Sequence, residues 1–281
     1  MTAEALVKTT VASDLAEQGV AFKNLDMYEE TKGWLDQSFS WVIPTVGKFI
    51  HWDVVDSWDM VDMPMNQSRT GRLRAKNMEV GEAYNFLFRL CVDEEFCRRH
   101  YGPEYSAMIQ ATRFVWTTEH DNVLPSNAVT GLMAAIYTCP DCGQTITDLD
   151  GWMCPMGHHG YDAVSGLYFT KTIPPRPMAY GNPKNGPDDF KCQPVKEAVA
   201  EKKTIEVNGI GLGCSIWRKD LFRHLSNPWF ETIQKDNTTG TGGGTQDLTA
   251  CRKAKAELGA RFGVATSVKV GHIDLKTGER Y

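Results

Sequence analysis

Several features are missing from this chain, and each absence removes a class of protein. No apolar run reaches the roughly 18 residues that a membrane-spanning helix needs, so no part of the 281 residues is expected to cross a bilayer. The first residues carry Glu4, Lys8, Asp14 and Glu17 and lack an apolar h-region, which argues against a secretory signal and sets a cytoplasmic expectation. Net charge of one sign is also scarce: at −5 the chain has no global pull toward nucleic acid or an anionic membrane. There is no internal repeat. What is present suits a globular protein of one large domain or two small ones, with 42% apolar and 23% charged residues. In that setting the eight cysteines are expected to bind metal or lie buried as thiols, not to form disulfides.

Residues 1–38 read as a polar, partly helical lead-in, ahead of a domain over 39–281. Phe39 to Thr45 has strand character that Pro44 brings to an end. Val54 to Met63 reads as helical, and Val80 to Cys91 has apolar residues at helical spacing. A strand over 113–118 is followed by a helix with Ser126 as its N-cap, running to Ile136. A cysteine-rich insert over 137–160 leads to a strand at Asp162–Phe169 and a loop at Pro174-Pro175-Arg176-Pro177. Thr204 to Arg218 has strand character broken by glycines, and Asp236 to Thr245 is a Gly/Thr-rich loop expected to be mobile. An amphipathic helix from Asp247 to Leu258, closed by Gly259, precedes a last strand at about 261–273. Alternating strands and helices predict an α/β fold whose mainly parallel central sheet is flanked by helices.

The chemistry starts at Phe114-Val115-Trp116-Thr117-Thr118-Glu119-His120-Asp121. In extended backbone, residues two apart point to the same side, so Glu119 and Asp121 are expected to aim at one hard cation past the end of a strand. Ligand sites of open α/β sheets lie at that end, and paired oxygen ligands there suit Mg²⁺ or Mn²⁺. His272, past the last strand, is a candidate third ligand through a neutral imidazole nitrogen. Asp247 opens a helix, where the dipole favours its ionised form, as a general base requires; the plainer alternative is a helix cap.

The insert carries a second metal pattern. Cys139-Pro140-Asp141-Cys142-Gly143 and Cys154-Pro155-Met156-Gly157-His158-His159 have zinc-ribbon knuckle spacing, with His158 or His159 as fourth ligand and Cys192 as a more distant option. The alternative is a loop of buried thiols. Such a closed site holds a loop together, although this one could also border the active site. Arg69, Arg72, Arg74 and Lys76, with Arg98, Arg99 and His100 further on, read either as a solvated surface or as a phosphate-binding patch.

Taken in order, these pieces resemble the nucleotide-sugar-dependent glycosyltransferases of the GT-A fold, family-2-like in pattern. Pro44-Thr45 is similar to the end of the family's opening donor-binding strand, and Glu79 to Asn85 to the helix that covers the nucleotide. Phe114 to Asp121 resembles the strand ending in Asp-x-Asp, with Glu119 in the first position, and Gln246-Asp247 resembles the start of the helix that supplies the base. The resemblance spans about residues 39–274, with the lead-in and the zinc-ribbon insert as departures. It implies a UDP-sugar as the first choice of donor, with Pro44, Thr45, Gly81, Asn85, Glu119 and Asp121 as donor-binding residues. It further implies Mn²⁺ or Mg²⁺ on Glu119, Asp121 and His272, and inversion at the anomeric carbon with Asp247 as base; apart from the resemblance, the knuckle spacing predicts structural Zn²⁺ on Cys139, Cys142, Cys154 and, as first choice, His158. The acceptor stays open between a hydroxylated base in DNA, as viral DNA-modifying enzymes use, and a saccharide, small-molecule or protein hydroxyl. A different class is a zinc-stabilised nucleic-acid-binding module on a catalytically inactive scaffold of this fold.

Overall fold

The computed structural model describes residues 39–45, 50–63, 72–233 and 244–281, the side chain of Thr45 excepted. The lead-in over 1–38, Arg69 and most of the Gly/Thr-rich loop lie outside these residues. In chain order the strands are β1 (Phe39–Thr45), β2 (Arg72–Lys76), β3 (Phe114–Thr118), β4 (Asn122–Val123), β5 (Ala163–Leu167), β6 (Ala179–Tyr180), β7 (Thr204–Val207), β8 (Gly209–Ile210), β9 (Cys214–Arg218), β10 (Phe262–Lys269) and β11 (Gly271–His272). The helices are α1 (Trp52–Met60), α2 (Val80–Val92), α3 (Glu94–Ala111), α4 (Ala128–Ile136), α5 (Lys196–Glu201), α6 (Lys219–His224) and α7 (Gln246–Leu258).

A seven-stranded sheet has the order β2-β1-β3-β9-β5-β10-β7. Strands β2, β1, β3, β5 and β10 share one direction, while β9 and β7 run against them. The fold is therefore α/β with a mixed, mostly parallel central sheet flanked by helices. The inner strands β3, β5 and β9 are buried on both faces, while the edge strands β2 and β7 are partly exposed. Alternate residues feed two cores: Val42 and Val115 enter one, while Trp41, Ile43, Phe114 and Trp116 enter the other. Helices α2, α6 and α7 cover the first face through Leu87, Leu90, Phe222 and Cys251. Helices α1 and α4 cover the second through Trp58, Leu132 and Ile136. On that second face Trp41 lies 4.5 Å from Trp116 and 6.0 Å from Trp58, centroid to centroid, and Trp41 Nε1 donates to Thr118 Oγ1 at 2.8 Å.

Some boundaries differ from the expected ones. β1 runs through Pro44 to Thr45; Pro44 pairs with Ala75 of the edge strand β2. Helix α4 starts after Asn127, not Ser126, and without a side-chain cap bond. The last expected strand is two: β10 stops at Lys269, and β11 leaves the main sheet to pair with β4.

The insert does not border the acid-tipped end of β3. Its Trp152 is fully buried and packs on Phe114 at the opposite, N-terminal end, with centroids 5.7 Å apart. Arg218, at the far end of antiparallel β9, lies 4.6 Å over Trp152 and pairs with buried Asp162 at 2.8 Å. Arg261, just before β10, grips Asp141 of the first knuckle through two bonds of 2.7 and 2.9 Å, and Glu206 of β7 through bonds of 2.9 and 3.0 Å. The insert thus staples the N-terminal edge of the parallel strands.

Candidate functional site

Beyond Thr118 the backbone turns instead of staying extended. Glu119 N–H donates to Gly213 O at 3.1 Å, and β4 pairs antiparallel with β11, setting Asn122 opposite His272. The turn separates the two carboxylates that extended backbone would have kept on one side. Glu119 turns to α2, where Tyr84 Oη donates to its Oε1 at 2.8 Å. Asp121 turns to β11, with His272 Nε2 3.5 Å from its Oδ2.

The His272 ring is oriented by its other nitrogen, 2.7 Å from Phe169 O. A carbonyl only accepts, so Nδ1 carries a hydrogen and Nε2 is the nitrogen that faces Asp121. Asp121 Oδ1 is buried without a hydrogen-bond partner among the described residues. A buried oxygen in want of a partner beside an imidazole nitrogen suits a hard or borderline divalent cation. Glu119, Asp121 and His272 do not, however, gather three ligand atoms around one point: among the described residues only the Cys/His group does so.

Lys171 follows the strand-end residues of β5 and reaches Asp121 Oδ2, with Nζ at 2.5 Å. Burial pushes the Asp121 carboxyl up, but the bonds from His272 and Lys171 and their charges outweigh it and hold the group below the usual carboxylate range. Glu119 moves the other way. Burial, then the charge of Asp121, raises it, against the hydrogen bond from Tyr84.

Asp247 occupies the first turn of α7 and is 7% exposed. Its Oδ1 accepts from Leu248 N–H at 2.9 Å and from Thr245 Oγ1. The N-cap is Thr245, so Asp247 is not the cap. The lowering expected of a helix start does not prevail in its carboxyl. Burial raises its carboxyl, against the hydrogen bonds from Thr245 and Leu248. Its charge is felt at Glu119, Tyr84 and Tyr168, which places it in the same cluster.

Other expected donor residues have structural partners. Asn85 is fully spent: Oδ1 accepts from Trp229 and Phe230 N–H, and Nδ2 donates to Gly81 O and Phe230 O. Gly81 N–H bonds Glu79 Oε2 at 2.7 Å, and a Cβ there would lie 3.0 Å from Phe230 O. Pro44 and Thr45 end β1 at the same edge as Thr118. Much of the basic patch is engaged as well. Arg72 stacks 4.2 Å over Trp41 and pairs with Asp59, and Arg98 and Arg99 both pair with Glu95.

Cys139, Cys142, Cys154 and His158 present ligand atoms all within 4.8 Å of one another. Gly143 (φ 73°) and Gly157 (φ 77°) make the left-handed turns that fold each knuckle inward. His159 faces away, with Nδ1 2.9 Å from Gly160 O, and Cys192 pairs with Tyr180 in another part of the chain.

Tyr84 and Lys171 carry parts of the site that sequence reading missed. Tyr84 had no signal, being one apolar-face position of a helix. Lys171 had one: it lies just past the C-terminal end of a parallel strand, where ligand-facing residues concentrate.

No protein-family model matches this chain, and no curated protein is similar to it in sequence. Among solved structures it is similar to "Crystal Structure of A197 from STIV", at 15% identity and a TM-score of 0.46, over 83% of this chain and 84% of that one. It is also similar to a structure of GalNAc-T7 with UDP, GalNAc and Mn²⁺, at 10% identity and a TM-score of 0.43, over 84% of this chain and 44% of that one.

Proposed function

We propose that this chain is a divalent-cation-dependent glycosyltransferase of the GT-A type, moving a sugar from a nucleotide-sugar donor, UDP-linked as first choice, to an acceptor hydroxyl. One observation carries the reading: Asp121 and His272 are drawn together by the β4–β11 pairing, and the charges of Asp121 and of buried Asp247 both act on Glu119 at the tip of β3. Asp121 and His272 would hold Mn²⁺ or Mg²⁺, with Glu119 behind them. When bound, the cation neutralises charge on a departing diphosphate. The chain's own residues do the rest. Tyr84 fixes Glu119, Phe169 O fixes the His272 tautomer, and Asp247 takes the proton of the acceptor hydroxyl as the new bond forms. A carboxylate raised by burial is a stronger base than a free one. Attack opposite the leaving diphosphate inverts the anomeric carbon.

The Cys139, Cys142, Cys154 and His158 group is read as a closed structural Zn²⁺ site, remote from this chemistry. Among the described residues no helix is long and apolar enough to cross a membrane. The nucleic-acid-binding alternative is weakened because Arg72, Arg98 and Arg99 already have acidic partners. For the same reason a saccharide or small-molecule hydroxyl is favoured over a hydroxylated DNA base as acceptor. The test is turnover of a sugar-nucleotide panel with Mn²⁺, products identified by mass, for wild type and Asp121→Asn. Turnover that is unaffected by both EDTA and the substitution would discard the reading.

A further inference from the structure

We propose that Lys171 is a resident counter-ion of Asp121 that a divalent cation must displace, and that its ammonium then binds the diphosphate arriving with that cation. This rests on the reading of Asp121 and His272 as a cation site. The first support is competition for one carboxylate. Lys171 Nζ and His272 Nε2 both face Asp121 Oδ2, at 2.5 and 3.5 Å. A cation bound to either oxygen of this carboxylate at about 2.1 Å would lie roughly 4–6 Å from the ammonium, too close for two unscreened positive groups. The pair is shielded, with the side chains of Lys171 and Asp121 only 27% and 15% exposed, so the repulsion is weakly damped by water.

The second support is the loop that carries Lys171. Phe169 pairs with Pro177, Thr170 N–H donates to Arg176 O at 2.8 Å, and Arg176 N–H donates to Thr170 Oγ1 at 3.0 Å. These bonds close the base of the loop, while Ile173 at its tip is 89% exposed. The backbone of Lys171 is therefore tethered beside the closure, and the freedom lies in its four-carbon side chain. Asp121 is the one hydrogen-bond partner of Nζ among the described residues. Glu119 and Asp274 are the other acids whose fields reach Lys171, but Glu119 Oε1 already accepts from Tyr84, and Asp274 Oδ1 already caps Lys276 and Thr277 N–H. A displaced ammonium at this edge therefore takes the anion that enters with the cation.

The consequence is thermodynamic coupling. A cation alone must evict Lys171 with nothing to receive it, so it binds weakly. A cation together with a diphosphate supplies the new partner, so each strengthens the other, and reciprocally.

The experiment titrates Mn²⁺ by paramagnetic resonance of the free ion, with and without UDP, on wild type, Lys171→Met, Lys171→Arg and Asp121→Asn. Lys171→Met should bind Mn²⁺ alone about tenfold more tightly than wild type, a difference of the size of one partly buried ion pair. The same variant should bind UDP more weakly, so the Mn²⁺–UDP coupling shrinks. Lys171→Arg, which keeps the charge, should retain the wild-type pattern. Mn²⁺ affinity in Lys171→Met equal to or below that of wild type overturns the proposal. Mn²⁺ affinity unchanged by Asp121→Asn removes the cation site itself, and this proposal with it, whereas the Lys171→Met result alone leaves the proposed function standing.

Discussion

Tyr84 donates its phenolic hydrogen to Glu119 Oε1 at 2.8 Å, joining the helix over one sheet face to the tip of β3. The tyrosine is fully buried, its ring 5.4 Å from Phe230, so it reaches Glu119 from a fixed base. Removing only the hydroxyl isolates this bond. Tyr84→Phe should lower unfolding stability by about 1–2 kcal/mol in urea titration, because a half-buried carboxyl loses its donor. It should also reduce sugar-nucleotide turnover, while Phe88→Leu, a packing change on the same helix, should cost stability without a matching loss of turnover per folded molecule.

Asp121→Asn retains shape but removes the charge that Lys171 and His272 face. Cation-dependent turnover should fall by on the order of 10²–10³, the range for losing one charge-stabilising group. EDTA should produce the same loss in wild type, reversed by Mn²⁺. A variant with wild-type turnover would show that the cation lies elsewhere.

Asp247→Asn should reduce kcat by on the order of 10²–10⁴ with sugar-nucleotide affinity retained. The raised carboxyl also sets a sign for pH. As a base it works deprotonated, so wild-type kcat/KM should fall on the acid side at a higher pH than an ordinary aspartate gives, and the variant should lack that limb. For stability, a carboxyl raised on folding favours the neutral form, so its contribution is present at low pH and lost as pH rises through the folded value. Asp247→Asn should accordingly melt above wild type at neutral pH and alongside it under acid conditions. Turnover within about threefold of wild type would remove Asp247 as the base.

The knuckle cluster should yield about one zinc per chain by elemental analysis. Stripping it, or substituting Cys142→Ser, should lower the melting temperature by about 5 °C or more, because Trp152 and its packing on Phe114 depend on the folded insert. Mn²⁺ affinity at the opposite sheet edge should be unchanged in the Cys142→Ser protein at low temperature. A zinc-free protein of normal stability would contradict the assignment.

Lys219 is 1% exposed and donates to Ile109 O, and burial pushes its ammonium down to about 8. Between that value and the ordinary lysine value of about 10.4 the unfolded chain binds more protons, so this group's contribution to stability rises with pH. Lys219→Met should therefore be more stable than wild type at pH 7, with the gap closing as pH is raised from about 8 to 10. A gap independent of pH would show that folding leaves the proton affinity of this amine unchanged.

The fold was legible where local chemistry is strong. The five residues of β3 are apolar or β-branched, and Gly259 ends α7 in a left-handed turn as its position suggested. The knuckles were legible because four ligands lie close along the chain. Convergence across the chain was not. Nothing local shows that Asn122 pairs with His272, that Tyr84 meets Glu119, or that the knuckles pack under Phe114 and not beside Glu119. The lowering expected of a helix start is absent at Asp247 because exposure, which a sequence does not display, decides whether a helix dipole or desolvation prevails.

The tilted Trp41–Trp116 pair gives the protein its own optical gauge. Two indoles at 4.5 Å and 32° couple their transitions, and Trp41 is hydrogen-bonded to Thr118, the residue before Glu119. Near-ultraviolet circular dichroism should therefore register any shift of the β3 tip as cation and donor enter. A paramagnetic ion such as Mn²⁺ should quench this emission where diamagnetic Mg²⁺ does not, giving a label-free readout of site occupancy.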